Sequence, residues 1–154
     1  MSSKVSKEMV VDVPLERFWE VVANYEAYSG FVPSVKRTRV VHVEKGVKDV
    51  EYEVDLGVKT IKYTLRHLEH APDRMTWSLV KGEMMKVSNG AWELSHHAGK
   101  TLARYTVEVQ VQKPPLVPQS IMDRVSDELT KVQLPRTLDA FKAQAERGTL
   151  TRRP

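Results

Sequence analysis

Histidine supplies most of the acid–base and metal-ligating chemistry open to this chain, at His42, His67, His70, His96 and His97. His67 and His96 share parity with apolar neighbours on alternating segments, which predicts that both point inward. An inward imidazole can orient a ligand carbonyl or act as an acid or base. The commoner role is a satisfied wall position, so the two stand as candidates and no catalytic residue is assigned. A zinc site built from His67, His70, His96 and His97 lacks a third-ligand carboxylate pattern, and no metal is expected. The chain has no cysteine, which removes thiolate ligands, cysteine nucleophiles and disulfides. It has no G-x-S-x-G nucleophile turn, no Walker-type phosphate loop and no G-x-G-x-x-G, so no cofactor is expected.

Periodicity defines the elements that must position these residues. Residues 4–12 read as a first strand. Pro14 suits the first turn of a helix in which Leu15, Phe18, Trp19 and Val22 share a face, with Asp12 as a candidate cap or dipole partner. A second helical turn over residues 25–29 ends at Gly30 and Pro33. From residue 34 to residue 112 the period becomes two. Val50, Tyr52, Val54 and Leu56 alternate with Asp49, Glu51, Glu53 and Asp55. Ile61, Tyr63 and Leu65 alternate with Lys62, Thr64 and Arg66. A two-residue turn at Gly57-Val58 would set Glu53 opposite Lys62 and Asp49 opposite Arg66.

Pro72-Asp73 reads as the next turn. Met75, Trp77 and Leu79 mark a fifth strand, Trp92 and Leu94 a sixth, and Ala103, Tyr105, Val107, Val109 and Val111 a seventh. Asn89-Gly90 is either a hairpin turn or a bend or bulge inside strand six, and its short flanks favour the bend. After the Pro-rich residues 113–118, Ile121, Val125, Leu129, Val132, Leu138 and Phe141 trace a helical stripe. A kink is expected at Pro135 and a stop at Gly148. The order predicts an α+β domain in which a curved seven-stranded antiparallel sheet wraps around one long C-terminal helix, with two short helices between strands one and two.

The 154 residues suit a single domain over residues 1–148, followed by a basic tail over 149–154. A net charge of +4, spread along the chain without a dense basic stripe, argues against DNA as a partner. No segment reads as a signal peptide or a bilayer span, so a soluble cytoplasmic protein is expected.

Three stretches resemble the START-like, helix-grip superfamily, in its polyketide cyclase/dehydrase and coenzyme Q-binding branch. They are residues 13–22 with the following residues 28–35 (Tyr28-Ser29-Gly30-Phe31-Val32-Pro33-Ser34-Val35), then Gly90-Ala91-Trp92-Glu93-Leu94, and finally residues 134–142 (Leu134-Pro135-Arg136-Thr137-Leu138-Asp139-Ala140-Phe141-Lys142). The resemblance covers nearly the whole chain and implies a cavity between the concave sheet face and the last helix. By parity its lining would include Tyr52 and Val54, then Ile61, Tyr63 and Leu65, then Met75, Trp77 and Leu79. Trp92 and Leu94 would follow, and Tyr105 and Val107 after them. Ile121, Met122, Val125 and Leu129 would close it from the helix, with Phe31 near the entrance. The function implied is binding or transport of a hydrophobic small molecule such as a lipid, quinone or polyketide. The alternatives are a polyketide aromatase, cyclase or dehydrase and a ribosome-associated interaction module, with transient membrane or ribosome contact. The fold alone does not choose among them, and an enzyme is the less favoured reading.

Overall fold

The computed structural model describes residues 3–57, 59–113 and 115–151, with the backbone alone for residues 3, 129–130, 133–134 and 148–151. Strand β1 (Ser3–Val11) leads into helix α1 (Leu15–Val22) and a 3-10 helix (Tyr25–Gly30). Six strands follow: β2 (Val35–Glu44), β3 (Val47–Asp55), β4 (Thr60–His70), β5 (Arg74–Gly82), β6 (Met85–His97) and β7 (Lys100–Val111). The chain closes with α2 (Gln119–Asp127), a π-helical segment (Glu128–Gln133) and α3 (Leu134–Thr151). The sheet order is β1-β7-β6-β5-β4-β3-β2, every pairing antiparallel. This is the element order predicted from periodicity, in the helix-grip arrangement that the resemblance implies.

The β3–β4 hairpin has the predicted register, with Glu53 opposite Lys62 and Asp49 opposite Arg66. Gly57 takes φ +84°, the left-handed value that the first central position of a primed turn requires. Val58 lies outside the described residues. The charge pairing is only half as predicted. Arg66 grips Asp49 with two hydrogen bonds of 2.9 and 3.1 Å. Glu53 instead reaches across to Lys36 (3.9 Å) and Arg37 (4.0 Å) on β2.

Strand β6 runs unbroken through Asn89-Gly90, so the predicted bend is absent there. Its irregularity lies between Met85 and Val87. Gly90 serves packing. It pairs with Trp77 across β5–β6, and a Cβ at this position would sit 2.2 Å from the indole Cζ2 and 2.6 Å from the Thr106 carbonyl oxygen. The absent side chain makes room for the Trp77 ring.

Asp12 does not cap α1 through its side chain, and Pro14 takes the N-cap position itself at φ −61°, ψ 154°. The Asp12 backbone N–H donates to Glu146 Oε2 at 2.9 Å, and Lys142 donates to the Val10 carbonyl at 2.8 Å. These bonds fix α3 against the end of β1.

The predicted kink at Pro135 is a wide π turn immediately before it. Proline removes one backbone donor and collides with the carbonyl four residues earlier, and a wider turn moves that carbonyl away. The turn also sets the phase. Sixteen residues of uninterrupted α-helix would put Val125 and Phe141 about 160° apart. Six residues at π pitch reduce the difference to about 50°. Met122, Val125, Leu138, Phe141 and Ala145 are all buried, whereas Val132, inside the π segment, is 39% exposed and leaves the predicted stripe. Gly148 does not end α3, whose backbone stays helical to Thr151. One glycine weakens a helix by about 1 kcal/mol and need not stop it.

Candidate functional site

The core divides along the sheet. At one end α1 fills the space, with Phe18 edge-on to Trp92 (centroids 5.4 Å) and Val11, Val13, Val22 and Ala103 fully buried around them. At the other end the sheet and α3 leave a cavity of about 150 Å³. Tyr52 and Val54 from β3, Tyr63, Leu65 and His67 from β4, and Met75 and Trp77 from β5 form one wall. Trp92, Tyr105, Val107 and Val109 form the other, and Thr137 and Phe141 of α3 roof it.

Aromatic rings give the wall its shape. Tyr52 and Tyr63 stack at 5.4 Å and 15°, Trp77 lies 5.5 Å from Tyr105, and Tyr105 lies 4.6 Å from Trp92. Tyr28 reaches the cavity from the 3-10 helix and meets Phe141 edge-on at 5.1 Å. That helix is pinned by three bonds. Thr38 donates to the Tyr25 carbonyl at 2.7 Å, Tyr28 donates its hydroxyl to the Val22 carbonyl, and Tyr25 donates to Glu69 at 2.5 Å. Glu69 in turn meets Lys48 at 3.2 Å.

His67 is 3% exposed, and its Nε2 lies 2.8 Å from the Tyr52 hydroxyl. Its Nδ1 is covered and has no hydrogen-bond partner among the described residues. Burial pushes the imidazole down to about 3, so it is neutral at physiological pH. The same desolvation raises the phenols of Tyr28, Tyr52, Tyr63 and Tyr105 well above the ordinary tyrosine range. All four carry their protons at neutral pH.

Nine predicted lining residues do border the cavity: Tyr52, Val54, Tyr63, Leu65, Met75, Trp77, Trp92, Tyr105 and Val107. Ile61 and Leu94 are buried in solid core, and Leu79 is half-buried off the cavity. Phe31 backs the wall, edge-on to Phe141 at 5.1 Å, and does not border the space. Ile121, Met122 and Val125 do not close it: α2 packs against β7, and among the described residues after β7 it is Thr137 and Phe141 of α3 that border the cavity. The Leu129 side chain lies outside the described residues. His96 is exposed, paired with Thr101 near the β6–β7 turn, and takes no part in the cavity.

Parity reasoning missed Met85, because the irregularity between Met85 and Val87 switches the inward face of β6, whereas Ser88 is in phase with Trp92 and was passed over as a polar residue. Val109 continues the alternation of Tyr105 and Val107 and was legible. Thr137 and Phe141 stand four apart on one helix face, a signal hidden by the undetected π turn. Among the described residues no three of His, Asp and Glu converge as a metal site, and no helix is long and apolar enough to cross a membrane.

A concave antiparallel sheet closed by a C-terminal helix over an apolar, aromatic-walled cavity defines a START-like ligand-binding fold. The model of the family described as "Polyketide cyclase / dehydrase and lipid transport" matches residues 11–136, and the chain belongs to that family. Among solved structures, the Zhui aromatase/cyclase from Streptomyces sp. R1128 superposes with a TM-score of 0.84 at 18% identity, covering 97% of this chain and 96% of that one. A protein from Thermus thermophilus follows at 0.83 and 14% identity, covering 96% and 99%. A START superfamily protein from Mycobacterium smegmatis gives 0.75 at 18% identity, covering 94% and 97%. At these identities the likeness is one of fold. A search of curated proteins found no match.

Proposed function

We propose that the protein binds and carries a hydrophobic small molecule in the cavity between the sheet and α3. The observation that carries this reading is an apolar space of about 150 Å³ in a domain whose opposite end is solidly packed. A cavity of about this size takes a single aromatic ring. Burial contributes roughly 25 cal/mol per Å² of apolar surface, less the cost of ordering the ligand. Tyr52, Tyr63, Met75, Trp77, Trp92 and Tyr105 are the proposed principal contacts. A larger ligand needs α3 to move outward.

Native mass spectrometry of gently purified protein is expected to find a bound apolar molecule. Stripped protein is expected to take up propylbenzene, observed as shifts of the Trp77 and Trp92 indole N–H resonances. Protein that binds no apolar probe would end this reading.

A second reading, aromatase, cyclase or dehydrase activity, is favoured by one observation: the Tyr52–His67 hydrogen bond joins two proton-exchanging groups in the cavity wall. Turnover of a poly-β-keto substrate that is lost in His67→Ala would support it.

A further inference from the structure

Five residues that border the cavity, Ser34, Tyr63, Ser88, Tyr105 and Thr137, carry hydroxyls with no hydrogen-bond partner among the described residues, and the two phenols are the stronger donors of the set. Tyr25, Tyr28 and Tyr52 each make a side-chain hydrogen bond. Tyr63 and Tyr105 make ring contacts but no hydrogen bond among the described residues. Both are half-buried and both border the cavity. A buried hydroxyl is normally satisfied, by protein or by whatever enters the site. They stand on different strands, β4 and β7, and so address the cavity from both walls.

Among the described residues the wall has no charged side chain. Its buried titrating groups report how the space treats charge. The base His67 is driven towards its neutral form, and so are the acids Tyr63 and Tyr105. An environment that disfavours both imidazolium and phenolate disfavours a carboxylate or ammonium ligand for the same reason.

Resting on the carrier reading above, we infer that the cavity selects an uncharged ligand bearing an acceptor oxygen, held by O–H donation from Tyr63 and Tyr105. An aryl ketone has this chemistry, whereas a free fatty acid anion does not.

The test compares three probes of nearly one size by calorimetric titration at pH 7: propiophenone, propylbenzene, in which a methylene replaces the carbonyl, and 3-phenylpropanoate. Propiophenone is expected to bind about tenfold more tightly than propylbenzene, the effect of one net hydrogen bond. 3-Phenylpropanoate is expected to show no measurable binding. In the double variant Tyr63→Phe/Tyr105→Phe the ratio of ketone to propylbenzene affinity should fall from about ten to about one, whatever the absolute affinity of propylbenzene. Those hydroxyls have no protein partner among the described residues, so the double variant is expected to fold, and cooperative thermal unfolding checks that it does.

Equal wild-type affinity for ketone and hydrocarbon would overturn the inference. So would a ketone advantage that survives the double variant, or anion binding as tight as ketone binding. Failure of all three probes, propylbenzene included, would instead overturn the carrier reading beneath it.

Discussion

At the scale of single residues, burial sets both ionisation and packing. His67 is neutral in the fold, and its folded value is about 3 against an ordinary 6.5. The unfolded chain therefore binds an extra proton between those values, and stability falls as pH drops through that window. Between pH 7 and pH 5 this residue alone is expected to remove about 2 kcal/mol. Urea denaturation at the two pH values should show that loss in the wild type and a smaller one in His67→Phe. The Asp49 carboxyl, held low chiefly by its hydrogen bonds from Arg66, adds stability above the ordinary carboxylate range that fades as pH falls through its depressed value. Gly90→Ala should lower stability by about 2–3 kcal/mol, because Trp77 and a backbone carbonyl both stand in the way of the new methyl. Denaturant midpoints check the loss, and a shifted Trp77 indole resonance checks its cause. Parity made Tyr52, Trp77, Tyr105 and the inward His67 legible in the sequence. The purpose of Gly90 was not, because a glycine that yields to a ring on the neighbouring strand looks the same as one that bends its own strand.

At the scale of elements, the C-terminal helix shows what a pattern can and cannot carry. Pro135 announced an interruption, and the alternation announced β3 to β7, whereas β2, whose burial does not alternate, had no such signal. Whether a proline is absorbed by a kink or by a widened turn depends on which faces must be buried on either side of it. That is a tertiary demand, met here by returning Val125 and Phe141 to one side. Plain α geometry assigns the roof of the cavity to Ile121, Met122 and Val125, whereas Thr137 and Phe141 provide it. The six π residues act as about one residue too many for an α-helix. Deleting the exposed Lys131 together with Pro135→Ala should therefore give a continuous α-helix with the same buried face. That variant is expected to be folded and more stable by up to about 3 kcal/mol, the usual cost of an internal proline. Thermal unfolding followed by circular dichroism checks it, and a loss of cooperative unfolding would contradict the phase argument.

At the scale of the whole molecule, the cavity is a stability deficit kept in a domain that otherwise packs well. Space of about 150 Å³ costs on the order of 3 kcal/mol relative to a filled core. Ser88, buried at 5% exposure on the cavity wall, is a position from which to fill it. Ser88→Leu is expected to raise stability by about 1 kcal/mol and to abolish propylbenzene uptake, an exchange of function for stability. Calorimetric melting and probe titration on the same sample would read both effects.

The sheet order has a further consequence, for the timing of synthesis. Strand β1 has one neighbour, β7, and Val5 pairs with Val107. The opening segment of the chain must therefore wait for about a hundred more residues before its partner exists, roughly 5–20 s at ordinary elongation rates. During that interval the nascent β2–β6 meander can zip sequentially by local hairpins, while β1 remains a loose ribbon exposed to whatever else can pair with it.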